Sequence, residues 1–271
     1  MGPRRCVGVD WSGAAGRQAA ARAIWLAVVE EGRLVALETG RDRSETVDRL
    51  TELVGEEPET VIGLDFCFSA PAWFLDERGM RSAGELWRWA AAGIARDPGF
   101  VRGLGPPFWG PGIRPRPVIA GDPLRRTEHA VRRPGVQPSS FFKLSGPGSV
   151  GSQALYGMPE LMRLCDVGVA VWPFDEPRLP VAVEVFPRLL ARLLAPDAER
   201  RTGAGLRQAV VVHEAEALGR HAGLTEHDQD AFDAAITALG LWRARDLVGQ
   251  LTRGRAAADP REGAILEPEL G

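Results

Sequence analysis

Twice in this chain a short apolar run ends on an aspartate with a glycine two residues before it. The first is Val7-Gly8-Val9-Asp10, leading into Trp11-Ser12-Gly13; the second is Val61-Ile62-Gly63-Leu64-Asp65, bounded by Pro71. Each run has the length and β-branched content of a buried strand, and the residues that follow mark a turn or loop. Side chains alternate faces along a strand, so each carboxylate shares its face with a glycine. The pattern predicts a bare patch beside each acid, with room for an ion or a phosphate. Two strand ends that each present an acid constrain the chain to an α/β sheet.

The stretches between and after these runs predict how the sheet is wound. Ala23–Glu30 and Arg33–Glu38 read as strands joined at Glu31-Gly32, following a flexible Gly13–Gly16 stretch, which gives an antiparallel meander of three strands. A helix capped by Ser44 follows, with Val47, Leu50, Leu53 and Val54 on one face. Its short connection to the Asp65 run argues that this strand is parallel to the first. From Ala72 to Pro147 regular patterning fades to one helix over Ser82–Ala95 and a Gly/Pro-dense stretch over Gly99–Ser140. So long a loop predicts an insertion or lid over the carboxylate end of the sheet.

Order returns with a helix over Ser149–Cys165, apolar runs at Val167–Trp172 and Val181–Phe186, and helices over Arg188–Ala195, Leu206–His221 and Glu226–Leu251. The tail, Glu262–Pro268, reads as an edge strand or a docked segment. Together these predict one domain, 1–271, with an insertion at about 72–147.

Net charge is −3, so the chain as a whole is not a polycation, although local patches decide nucleic-acid binding. Three widely spaced cysteines suit neither a disulfide framework nor a structural zinc site, which predicts a reducing, cytoplasmic setting. No apolar run reaches the ~18 residues that span a bilayer, so no membrane partner is expected.

Three further acids call for explanation. Glu184 lies among valines in Val181–Phe186, where a lone carboxylate costs several kcal/mol unless it is paired, protonated or bound to metal. Asp230 and Asp233 share one helix face, and the small residues Ala231, Ala234, Ala235 and Ala238 let that helix lie close to a sheet. Thr225 offers the cap, and Asp228 suits the first turn. Convergent carboxylates of this kind favour Mg²⁺ or Mn²⁺.

The order of elements and acids resembles the ribonuclease-H-like fold and, within it, the RuvC resolvase branch, whose acids end the first and fourth strands and recur as D-x-x-D on a late helix. The five motifs VGVDWSG, IGLDFCFSAP, VEVFPR, DAFDA and EGAI together resemble a predicted ribonuclease-H-like nuclease family catalogued as domain of unknown function 429. The likeness runs from Val7 to about Pro268, with little of it in the insertion. It implies a mixed sheet of three antiparallel strands and then parallel strands, flanked by helices. It also implies a metal set of Asp10, Asp65, Asp230 and Asp233, with Glu184 as a further site residue, and hydrolysis of DNA or RNA.

The insertion supplies candidate substrate contacts. Arg102, Arg114, Arg116, Arg125, Arg126, Arg132, Arg133 and Lys143 lie among Phe108, Trp109, Phe141 and Phe142. Cations interleaved with aromatics suit a strand gripped by its phosphates and stacked through its bases. Lys143, the sole lysine, is the candidate phosphate contact or charge stabiliser, with Ser145 and Gln153 assisting. Two other readings stay open. A phosphotransferase of the actin-like or sugar-kinase kind also ends its first strand on an acid and a small-residue turn, and a non-catalytic binding module could carry a relict acidic site.

Overall fold

In the computed structural model, which describes residues 2–198, 203–248, 250–251 and 259–267, the two glycine–aspartate runs lie side by side. β1 (Arg5–Asp10) pairs in parallel with β4 (Thr60–Leu64), and their register sets Gly8 beside Gly63. On its other edge β1 pairs antiparallel with β2 (Trp25–Glu30), which pairs antiparallel with β3 (Arg33–Thr39). Glu31 and Gly32, both at positive φ, make the tight turn between the last two. β6 (Val181–Glu184) extends the sheet in parallel beyond β4, and the two-residue β5 (Ala170–Val171) closes that edge.

The strand order β3-β2-β1-β4-β6-β5 thus runs from antiparallel to parallel, flanked by helices, consistent with a ribonuclease-H-like fold. Among the described residues no helix is long and apolar enough to cross a membrane.

Two local expectations are corrected. The second strand begins at Trp25 and not at Ala23, since Arg17–Ala23 form helix α1, as their alanine content favours. The crossover helix α2 (Arg43–Glu56) is capped by Asp42, not Ser44. Asp42 accepts from the Glu45 amide at 3.0 Å and Glu45 bonds back to the Asp42 amide at 2.9 Å.

The insertion is folded rather than loose. It contains α3 (Ala72–Glu77), α4 (Ala83–Arg96), α5 (Phe100–Gly103) and α6 (Arg126–Val131). Phe74, Phe108, Phe141 and Phe142 meet edge to face with centroids 5.2–6.0 Å apart, all fully buried. The phenylalanines expected to stack bases therefore form core, because four adjacent rings bury more apolar area against one another than any exposed arrangement would.

Helix α7 (Gly151–Asp166) follows and shares with α2 and α4 the apolar cluster on the sheet face of Val7, Val9, Ile62 and Leu64. The opposite face, with Cys6, Val61 and Val183, lies under α8 (Pro187–Leu194) and α12 (Gln229–Arg243). Between those two come α9 (Ala204–His213), α10 (Ala215–Leu218) and α11 (Ala222–His227).

Helix α12 explains the glycines. A Cβ on Gly8 would fall 2.3 Å from the Ala234 carbonyl oxygen, and one on Gly63 would fall 2.7 Å from Thr237 Cγ2. The patch expected to hold an ion or a phosphate is filled by this helix, which settles onto bare backbone through its alanines. Asp228 caps it, accepting from the Ala231 amide at 2.9 Å, while Thr225 belongs to α11. The tail docks at the end of β6, where the Leu266 amide donates to the Glu184 carbonyl at 2.8 Å. Pro268 lies outside the described residues.

Candidate functional site

Asp10 ends β1 and Asp65 follows β4 directly, so both carboxylates emerge where the parallel strands terminate. By alternation they point to the face that α12 covers, as Gly8 and Gly63 do. Because α12 rests on those glycines, Asp233 is carried to the same spot. Asp10 and Asp65 share a side-chain hydrogen bond, and Asp65 Oδ1 also accepts from the Trp11 amide at 2.7 Å. Asp233 Oδ2 accepts from the Gln229 side-chain amide, one turn earlier, at 2.9 Å. Asp230 sits on the exposed side of the helix and adds its charge to Asp10 and Asp233. The loop after Asp10 is held by Arg43, which donates to the Ser12 carbonyl at 2.9 Å and stacks on Tyr156.

Asp10, Asp65 and Asp233 are half-buried: enclosed by protein, yet each with an accessible face. Their electrostatics follow. Burial, then the charges of Asp65, Asp233 and Asp230, raise the Asp10 carboxyl well above the carboxylate range. Asp65 is pushed up to about 7 by burial, which outweighs the Trp11 amide. Asp233 is pushed up to about 6 by burial, against the Gln229 hydrogen bond and the more distant Arg188 and Arg207. Burial and Asp228 raise Asp230. Among the described residues none of the three inner aspartates has an ion pair. Carboxylates arranged so hold protons at neutral pH or take up a cation.

Asp65 and Asp233 line a cleft of about 310 Å³ together with Gln153, Arg188, Gln229 and Phe186. Gln153, expected to assist, is at the site and donates to the Trp11 carbonyl at 2.7 Å. The Trp11 ring is buried against Phe66. Arg188 and Gln229 do not stand out in the sequence. The signal for Arg188 is its place just beyond the end of β6, the same end of the sheet that makes Asp10 and Asp65 candidates.

Glu184 does not join the aspartates. It is paired in register with Leu64 and so faces the opposite side of the sheet. There it meets Arg125 and Glu128 of the insertion in a network sealed from water. Arg125 Nη1 donates to Glu184 Oε2 at 2.9 Å, and its Nη2 donates to Glu184 Oε1 as well. Arg125 Nε donates to Glu128 Oε1 at 2.8 Å. The Phe68 amide completes Glu184 at 2.9 Å, and the Glu262 carbonyl accepts from Arg125 at 3.0 Å. Burial raises Glu128 while Arg125 pulls it down.

Ligand atoms of Cys67, Glu128 and Glu184 lie within 4.8 Å of one another, a buried group that could hold a metal ion. The Arg125 guanidinium already fills that role as counter-charge. The aspartates are looser: Asp10 and Asp65 touch, but with Asp233 they do not form a trio within 4.8 Å.

Arg125, expected to bind substrate, is fully buried and spent on this network. Ser145 donates to the Pro111 carbonyl at 2.6 Å and does not line the cleft. Lys143 is half-exposed, donates to the Pro147 carbonyl, and lines a neighbouring groove rather than the aspartate cleft. Arg126 is exposed, with its backbone amide on Glu262 at 2.9 Å.

No family model, curated protein or solved structure matches this chain.

Proposed function

We propose that the chain is a divalent-metal-dependent nuclease whose centre is the aspartate cleft. The observation that carries this reading is the set of three half-accessible acids, from two strand ends and one helix, without an ion pair among the described residues, two of which share a hydrogen bond. That donor set suits a hard cation. Asp10, Asp65 and Asp233 would hold the ion, with Asp230 nearest to solvent. Mg²⁺ or Mn²⁺ bound there would supply the charge that activates water and stabilises the leaving oxygen of a phosphodiester.

The chain's own residues do the rest. Gln229 orients Asp233, the Trp11 amide orients Asp65, and Arg188 offers a positive charge to a phosphate in the cleft. Glu184 belongs to the opposite face and serves this centre only by holding the insertion to the sheet.

The motif order and the strand order support kinship with the ribonuclease-H-like nuclease family catalogued as domain of unknown function 429. A cytoplasmic setting is in keeping with the free thiols of Cys6, Cys67 and Cys165. The test is cleavage of single-stranded and branched DNA and RNA by purified protein with Mg²⁺ or Mn²⁺. Cutting that survives Asp10→Asn undiminished rejects the assignment. Tight ATP binding without cutting would favour the phosphotransferase, and no gain of thermal stability from any divalent ion would favour a binding module.

A further inference from the structure

We infer that the insertion carries a phosphate-binding groove that continues the aspartate cleft and receives the flanking segment of a single nucleic-acid strand. The inference takes its orientation from the nuclease reading above. Three hollows adjoin one another. The aspartate cleft shares Gln137 and Ser139 with a groove of about 460 Å³. That groove in turn shares Trp109 and Arg116 with a shallow hollow over Gly110–Pro115. A continuous surface track thus leads away from Asp65 and Asp233.

Several arginines elsewhere are paired with carboxylates, as Arg5 is with Glu30, Arg163 with Asp48 and Arg261 with Asp259. In the groove, Arg116, Arg132 and Lys143 make no ion pair among the described residues. Arg132 donates to the Gln137 side chain at 3.1 Å, Lys143 donates to a carbonyl, and Arg116 lies 5.1 Å from the centroid of the Trp109 ring. The acid lining the groove, Asp122, is bonded to His129 at 2.8 Å. Three cations without carboxylate partners, spaced along one track, suit a ligand with repeated anions, not a single small one.

The form of the ligand follows from the space. A cleft of about 310 Å³ is at the low end of small-ligand sites (roughly 300–1,000 Å³), room for one unit of a strand and too little volume to enclose a duplex. The Trp109 ring is 9% exposed and faces Arg116, so it offers bases little to stack on. The grip is therefore through phosphates, insensitive to sequence and sensitive to salt.

The experiment is fluorescence anisotropy in EDTA, which separates binding from cutting, with a labelled single-stranded 12-mer, a duplex of the same length and a mononucleotide. Wild type is compared with Arg116→Ala/Arg132→Ala/Lys143→Ala over a range of salt. The triple variant should bind the single strand at least ~10-fold more weakly. The slope of log affinity against log salt should flatten by about 0.7 for each phosphate that the variant no longer neutralises. Mononucleotide binding should not change, and the duplex should bind more weakly than the single strand. Equal affinity of wild type and triple variant for the strand overturns the groove, as does tighter binding of the duplex.

Should the triple variant melt early, Arg132→Glu alone is read in the same assay with the same two outcomes. The two readings fail separately. Strand binding in EDTA that weakens in the triple variant, without cutting by wild type in Mn²⁺, upholds the groove and rejects the nuclease. Cutting with an unchanged KM in the triple variant rejects the groove and leaves the nuclease standing.

Discussion

The sheet carries a carboxylate cluster on each face, and the two have solved the same electrostatic problem differently. On one face Glu128 and Glu184 are almost wholly removed from water, and the Arg125 guanidinium is clamped between them. On the other, Asp10, Asp65 and Asp233 keep an accessible face and have no ion pair among the described residues. An acid that finds its counter-charge within the chain is architecture: the network joins the insertion, β6, the loop after β4 and the tail. Acids left to repel one another at the mouth of a cleft are poised for something from outside. Removing one partner of a buried pair strands a charge, whereas removing one of several crowded acids relieves repulsion.

The largest expected effect is on chemistry. Asp10→Asn should reduce metal-dependent cutting about a thousand-fold or more, read by gel assay in Mn²⁺, because a carboxylate of the proposed metal set is lost. Melting temperature should hold or rise, since a neutral amide avoids the burial and repulsion that a charged Asp10 meets in this cluster. A severe loss of stability would erase the contrast between the two faces.

Glu184→Ala should do the reverse. Leaving Arg125 short of one carboxylate should destabilise the fold by about 3–5 kcal/mol in chemical denaturation, with divalent-ion affinity retained under native conditions. Gly8→Ala tests whether the aspartate face depends on the seating of α12. A Cβ placed 2.3 Å from the Ala234 carbonyl should cost roughly 1–3 kcal/mol and lower activity by shifting Asp233.

A subtler distinction is in pH. Asp65 and Asp233 have folded values raised to about 7 and about 6, above the ~4 of an unfolded aspartate. The folded protein therefore binds more protons, so their contribution is full below about pH 4 and is lost as pH rises through 6 to 7. Metal-free protein should melt progressively lower from pH 5 to pH 8, and Mn²⁺ should restore the loss most at the upper end. The smallest effect is expected at Asp230, which is exposed: Asp230→Asn should reduce cutting by less than Asp233→Asn does.

Much of this was legible in the sequence where local pattern and global fold agree. The meander, the crossover and the small-residue helix followed from periodicity and turn chemistry, and the strand-end positions of Asp10 and Asp65 brought them together as expected. What the sequence did not disclose was register and face. Glu184 stands out for its buried setting, but only its pairing with Leu64 shows that it faces away from the aspartates. Gly8 and Gly63 advertised an absence of side chains without saying whether a ligand or a helix fills it.

Arg125 is one arginine in a run of many, and no local feature distinguishes a buried counter-ion from a surface cation. The phenylalanines of the insertion likewise looked accessible because Gly and Pro around them suggested loop. Their mutual packing joins residues far apart in the chain.

Which face takes the cation can be decided by Mn²⁺ titration calorimetry at pH 7.5 on wild type, Asp10→Asn and Glu184→Gln. Binding lost in Asp10→Asn and kept in Glu184→Gln is the predicted result. Binding kept in Asp10→Asn and lost in Glu184→Gln would move the metal to the Cys67–Glu128–Glu184 group and contradict the aspartate site.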